Sequence, residues 1–210
     1  MKIKQFDTNE YYHIYNRGNN KRLVFLEPSD QTRFIESMVQ FNTINPIGSI
    51  YANSFNKDSQ FRSSTPKLVE IICYCLNPNH FHLILLQLAD RGLIKFMHKL
   101  GTGYTNYFNN KYEGSGSLFQ GRYKSIHVDS NEYLLHLSSY INLNDRVHGL
   151  QHSDSKSSWD EYVNLNFEDK LCHKKVVLSQ FKNISEYKKF ALESLATIKN
   201  RRDIEGLLLE

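Results

Sequence analysis

Two apolar runs flanking a short cluster of turn formers constrain this chain more than any other feature. Val69 to Leu76 (VEIICYCL) and His80 to Leu88 (HFHLILLQL) are separated only by Asn77, Pro78 and Asn79. Runs this short, rich in β-branched and aromatic residues and broken by turn formers, predict two strands of an antiparallel hairpin.

The neighbouring segments extend this pattern. Tyr11 to Arg17 (YYHIYNR), ending at Gly18, reads as a strand. Ser29 or Asp30 can cap a helix to about Asn45, with Phe34, Ile35, Met38 and Val39 as its apolar stripe and Pro46 as its stop. The residues from Gly48 to Lys67 are polar and predict a surface insertion or long loop. After the hairpin, Asp90 can cap a helix on which Leu93, Met97, Leu100, Tyr104 and Tyr107 share a face. Gly101 and Gly103 each cost that helix about 1 kcal/mol relative to Ala. Leu118 to Val128 reads as a strand with Gly121 as a possible bulge. Ser130 or Asn131 then caps a helix through Asn144 or just beyond.

The order β-α-β-β-α-β-α predicts an α+β fold: a ferredoxin-like split βαβ core, with one antiparallel sheet and helices on one face. This domain spans residues 1–150, with the polar insertion near 48–67. Residues 151–210 form a helical C-terminal extension, in which Asn183 and Glu186 stand at capping-box spacing before a helix from about Ser185. Tyr187, Ala191, Leu195 and Ile198 give that helix a docking stripe.

Composition narrows the class further. A hydrophobic fraction of 40% and an aromatic fraction of 13% are too high for a disordered chain. The net charge is +4, and the excess lies before Leu150; a mildly basic core fits a polyanion partner without demanding one. The apolar runs fall short of the roughly 20 residues of a membrane helix, and the N-terminus lacks a secretory apolar stretch. Cys73, Cys75 and Cys172 then read as reduced thiols of a cytoplasmic protein. Cys73 and Cys75 are either two packed residues on one strand face or half of a zinc site.

His80 and His82 alternate with Phe81, so on a strand both imidazoles share one face, about 7 Å apart at their roots. Such a pair can converge on one divalent ion, but His-x-His alone is a weak signal. On the last core helix, Leu134, Leu137 and Ile141 form the buried stripe. Tyr133, His136, Tyr140 and Asn144 form a second stripe about 100° away. Taken alone, Tyr140 reads first as a boundary tyrosine whose ring packs and whose hydroxyl reaches water.

Four stretches taken together are more specific: YHIYNRGNNKR, CYCLNPNHFHLILL, GYTNYFNNKYEGSGSLFQGRYKS and YINLNDRVHGL. In this order they resemble the single-tyrosine transposases with a His-hydrophobe-His motif, in the REP-associated branch of the insertion-sequence-200-like group. The resemblance covers roughly Tyr11 to Leu150 and extends loosely to SSWDEY in the tail. Two departures stand out. Asn77 occupies a position where the family usually has Met, and Asp145 one where it usually has Pro.

The resemblance implies His80 and His82 as ligands of a divalent metal, Mg²⁺ or Mn²⁺, with Asn144 as third ligand and Tyr140 as nucleophile. It further implies cleavage and rejoining of single-stranded DNA beside a hairpin through a 5′-phosphotyrosine, by a protein that works as a monomer, with a dimer as the alternative. His136 could assist proton transfer or simply be a surface histidine, and Tyr133 is the reserve nucleophile. Arg17, Lys21 and Arg22 after the first strand, and Arg122, Tyr123 and Lys124 on the last, combine cations with aromatics, as DNA binding requires. For Lys21 and Arg22 a solvated charged surface is an equal reading. Two non-catalytic alternatives are a DNA-hairpin clamp without cleavage activity and an RNA-binding sheet.

Overall fold

The computed structural model describes residues 5–45, 47–48, 50, 66–150, 154–164 and 171–205, the last six of these by their backbone alone. Most of the predicted polar insertion lies outside these residues. The elements in chain order are β1 (Tyr11–Arg17), α1 (Pro28–Gln40), β2 (Val69–Asn77), β3 (His80–Gln87), α2 (Gly92–Lys111), β4 (Lys124–Val128), α3 (Asn131–Asn142), α4 (Asn144–Val147), β5 (Lys156–Ser157), α5 (Trp159–Val163), α6 (Lys175–Leu178) and α7 (Ile184–Glu205).

The five strands form one antiparallel sheet in the order β4-β1-β3-β2-β5. Its first four strands have the order expected of a ferredoxin-like core. The hairpin turn is Pro78-Asn79, and the Pro78 carbonyl accepts from the N–H groups of Val24 and Phe25 at 2.7 and 3.0 Å. This ties the loop after β1 to the hairpin tip.

Strand alternation divides the sheet chemically. Phe81, Leu83 and Leu85 point to one face, where Phe81 meets Phe34 of α1 and Phe119. Phe34 in turn packs edge-on against Tyr104 of α2. This is the predicted helical layer. His80 and His82 point to the other face, where the His82 ring meets Tyr140 of α3. The structure therefore adds a second helical layer to the single one expected. α3 and the C-terminal extension cover the side that carries His80 and His82, because Cys73, Cys75, Leu134, Leu137 and Ile141 all need burial there.

Local details explain the shifts in element boundaries. α1 begins at Pro28, and Asp30 sits inside its first turn, its carboxylate accepting from the N–H groups of Leu26 and Glu27. α2 begins at Gly92 rather than from an Asp90 cap, and Gln87 Oε1 accepts from the Leu93 N–H instead. Gly103 is tolerated in α2 because a Cβ there would lie 2.5 Å from the Phe41 ring. The last core strand is shorter than predicted. Gly121 at φ +73° turns the chain, so Leu118 to Tyr123 leave the ladder except for a bridge between Phe119 and Gly18.

The extension belongs to the same core. Trp159, Tyr162, Cys172, Val177, Tyr187 and Ala191 are buried with residues of the first 150. The strand β5 escapes a reading of the sequence, since two residues carry no alternation. It pairs with the edge of β2 through Cys75 and Leu76. The predicted cap of α7 is present, with Asn183 Oδ1 accepting from the Glu186 N–H at 2.9 Å. No helix among the described residues is long and apolar enough to cross a membrane.

Candidate metal and nucleophile site

The register of three strands and the end of α3 assemble the site. Arg17 lies opposite His80, Tyr15 opposite His82, and Asn77 opposite His80 across the hairpin. The rings of His80 and His82 stand 5.2 Å apart and nearly perpendicular. Both are half-buried, as is Tyr140. The Tyr140 ring lies 5.8 Å from that of His82.

Asn144 reaches the site by a route the sequence did not indicate. The predicted continuous helix breaks at Leu143 (φ −113°, ψ 19°), and Asn144 opens the short turn α4. Asn144 is fully buried, and its Oδ1 lies 3.2 Å from His80 Nε2. Its Nδ2 is buried without a hydrogen-bond partner among the described residues, so the amide sacrifices its nitrogen to keep the oxygen turned inward.

The protonation pattern is legible in part. His80 Nδ1 lies 2.6 Å from Asn79 Oδ1, an acceptor, which places the ring proton on Nδ1 and leaves a lone pair on Nε2. His80 Nε2 and Asn144 Oδ1 are thus two acceptors 3.2 Å apart. Neighbouring ligands of an octahedral ion with bonds of about 2.1 Å stand about 3.0 Å apart. The pair therefore fits a hard divalent cation. Among the described residues no group of three His, Cys, Asp or Glu side chains could hold a metal ion.

His82 is oriented from behind by His13, a residue that sequence reasoning missed. His13 Nε2 and His82 Nδ1 lie 2.9 Å apart. Burial pushes the His13 imidazole down to about 4, so it is neutral at physiological pH and able to accept from His82 Nδ1. With that direction of donation, Nε2 is the unprotonated nitrogen of the His82 ring. Alternation places His13, Tyr15 and Arg17 on one face of β1, and this was the available signal. Which strand would lie beside it was not.

The other candidates separate into near and distant groups. Tyr15 stacks on His82 at 5.6 Å, and the Lys124 ammonium lies over the Tyr15 ring at 5.8 Å, so Lys124 borders the site. Arg17 Nε donates to Gln120 Oε1 at 2.6 Å, beside the hairpin tip. Arg122 is exposed, and Tyr123 is partly buried with its hydroxyl pushed up to about 12 by burial. Lys21 is exposed in the turn after β1, and the Arg22 guanidinium lies over Phe108 of α2 at 5.3 Å, on the opposite helical layer. His136 faces α7, with Nδ1 3.2 Å from Ser194 Oγ and its ring 4.9 Å from Phe190, so it does not serve Tyr140. Burial and the nearby Asp129 raise the Tyr133 hydroxyl above its ordinary range.

Cys73, Cys75 and Cys172 are buried free thiols. Burial raises all three above the ordinary thiol range, which keeps them protonated and favours the packing reading over a zinc site.

Residues 60–144, which contain the hairpin and the tyrosine helix, match the family model described as "Transposase IS200 like". The matched stretch is similar to the IS200-like transposase family. Its limits include His80, His82 and Tyr140 and end at Asn144. No curated protein matches the chain. A solved structure described as that of the REP-associated tyrosine transposase bound to a REP hairpin aligns over 80% of this chain and 88% of that one. Its identity is 13% and its TM-score 0.49.

Proposed function

We propose that the protein is a divalent-metal-dependent, single-tyrosine nuclease and strand transferase acting on single-stranded DNA beside hairpins. The observation that carries this reading is the convergence of Tyr140, His82, His80 and Asn144, from α3, β3 and α4, on one half-exposed place above the sheet. A structural tyrosine has no need of two imidazoles and an inward-turned amide oxygen beside it.

His80, His82 and Asn144 would hold the ion. A bound Mg²⁺ or Mn²⁺ supplies Lewis-acid polarisation of the scissile phosphodiester. Tyr140 Oη gives its proton to solvent and attacks phosphorus, and the departing 3′-oxygen takes one up from solvent. The bond to the 3′-oxygen breaks, leaving a 5′-phosphotyrosine and a free 3′-hydroxyl. Another 3′-hydroxyl can reverse the step and join new ends without an external energy source. Arg17, Lys124 and Arg122 line the approach with positive charge, and the Tyr15 ring offers a stacking surface.

The test is to incubate the protein with labelled single-stranded hairpins from the gene's own flanks, with and without Mn²⁺. Metal-dependent cleavage is expected. Tight binding without cleavage would favour a hairpin clamp, and preference for RNA would favour an RNA-binding sheet. A related prediction concerns Arg122. Its replacement by Ala should weaken DNA binding and lower the slope of log affinity against log salt by about one. An unchanged slope in a salt titration would place the DNA backbone elsewhere.

A further inference from the structure

Asn77 ends β2 fully buried, immediately behind the candidate ligands. Its Nδ2 donates to Asn144 Oδ1 at 2.7 Å and contacts His80 Nε2 at 3.0 Å. With the 3.2 Å between His80 Nε2 and Asn144 Oδ1, these three atoms form a nearly equilateral triangle. One triangular face of an octahedral ion with bonds of about 2.1 Å has edges of about 3.0 Å. Asn77 therefore contributes the third corner of a face whose other two corners are lone-pair donors.

In the absence of a cation, two acceptors at this distance need a donor between them, and the amide nitrogen of Asn77 is that donor. Its Oδ1 points the other way and accepts from Cys75 Sγ at 3.4 Å. The two ends of a carboxamide are nearly equal in size. A half-turn about the last side-chain bond exchanges them, bringing the oxygen to the place the nitrogen holds. The turn gives up the Nδ2 contacts to Asn144 and His80, which bonds to the ion replace, while the buried Cys75 sulfur can accept from the NH₂ group in its new place.

We propose that Asn77 is a further protein ligand of the divalent ion. Its carboxamide oxygen joins His80, His82 and Asn144 when an ion is bound, and its NH₂ group holds the ligand atoms together when none is. The inference rests on the metal reading above. It makes the donor set two imidazoles and two amide oxygens, which suits Mg²⁺ and Mn²⁺ better than a softer set does.

The experiment is a Mn²⁺ titration of the full chain, followed through the electron paramagnetic resonance signal of free Mn²⁺, for wild type, Asn77→Met, Asn77→Asp and the His80→Ala/His82→Ala pair. Far-UV circular dichroism and thermal melts without metal check that each variant folds. Asn77→Met should weaken Mn²⁺ binding by about tenfold or more, whereas Asn77→Asp, which keeps an oxygen but cannot donate, should bind at least as tightly as wild type. Equal affinity of Asn77→Met and wild type, with loss in the double-histidine variant, would overturn the role of Asn77 and leave the metal reading standing. Equal weakening in Met and Asp would overturn it in favour of a donor that only positions its neighbours. Absence of Mn²⁺ binding by wild type would overturn both readings at once.

Discussion

Replacing His80 and His82 together by alanine should reduce metal-dependent strand cleavage by at least about a thousandfold while leaving the protein folded. Both side chains are half-exposed on the site face, whereas the apolar packing of β3 rests on Phe81, Leu83, Ile84 and Leu85. The main structural consequence is local. His13 Nε2 loses its partner at 2.9 Å and becomes a buried unsatisfied group, at a cost of about 1–3 kcal/mol. Thermal melting would therefore show a modest decrease, and circular dichroism an unchanged fold. Cleavage retained at the wild-type rate with Mn²⁺ would remove the histidines from the chemistry. A collapse of the melting transition would assign them to folding instead.

The second large effect concerns stability and lies in the extension. Tyr187 of α7 is fully buried, among Tyr162, Phe181 and Trp159. Asn142 Nδ2 donates to its hydroxyl at 2.9 Å, and Asn142 Oδ1 accepts from Ser158 Oγ at 2.5 Å. Asn142 ends α3, two residues beyond Tyr140, so the extension fastens the helix that carries Tyr140. Replacing Tyr187 by Ala should cost about 3–5 kcal/mol, the range for truncating a buried aromatic ring. At roughly 2–4 °C per kcal/mol for a protein of this size, the melting temperature should fall by about 6–20 °C. Tyr187→Phe, which removes only the hydroxyl, should cost about 1 kcal/mol. Denaturant unfolding would measure both. A loss below about 1 kcal/mol for the alanine variant would mean that the extension is an appendage rather than part of the core.

Much of this arrangement was legible in the sequence, for identifiable reasons. The hairpin strands announce themselves by composition and by the turn between them. The alternation of His80, Phe81 and His82 assigns faces without any knowledge of neighbours. The two stripes of α3 place Tyr140 beside the buried face. What was not legible depends on pairing between distant segments. His13 belongs to the site only because β1 lies beside β3 in a register that sets His13 opposite Ile84 and Tyr15 opposite His82. Asn77 reads as a turn former, yet it is the last residue of β2, buried behind His80. The second helical layer was invisible because β2 and β3 are apolar on both faces, a pattern that marks burial without saying what covers it. The break at Leu143 lies beside contacts with the extension, where Asn142 bonds to Tyr187 and Ser158.

The most direct test of the central claim is covalent trapping. Wild type and Tyr140→Phe would be mixed with a labelled single-stranded hairpin and Mn²⁺, denatured, and the adduct digested and mapped by mass spectrometry. The account predicts a denaturation-resistant adduct in wild type only, with the 5′-phosphate on the peptide containing Tyr140. An adduct of equal yield in Tyr140→Phe, mapped to another residue, would contradict it.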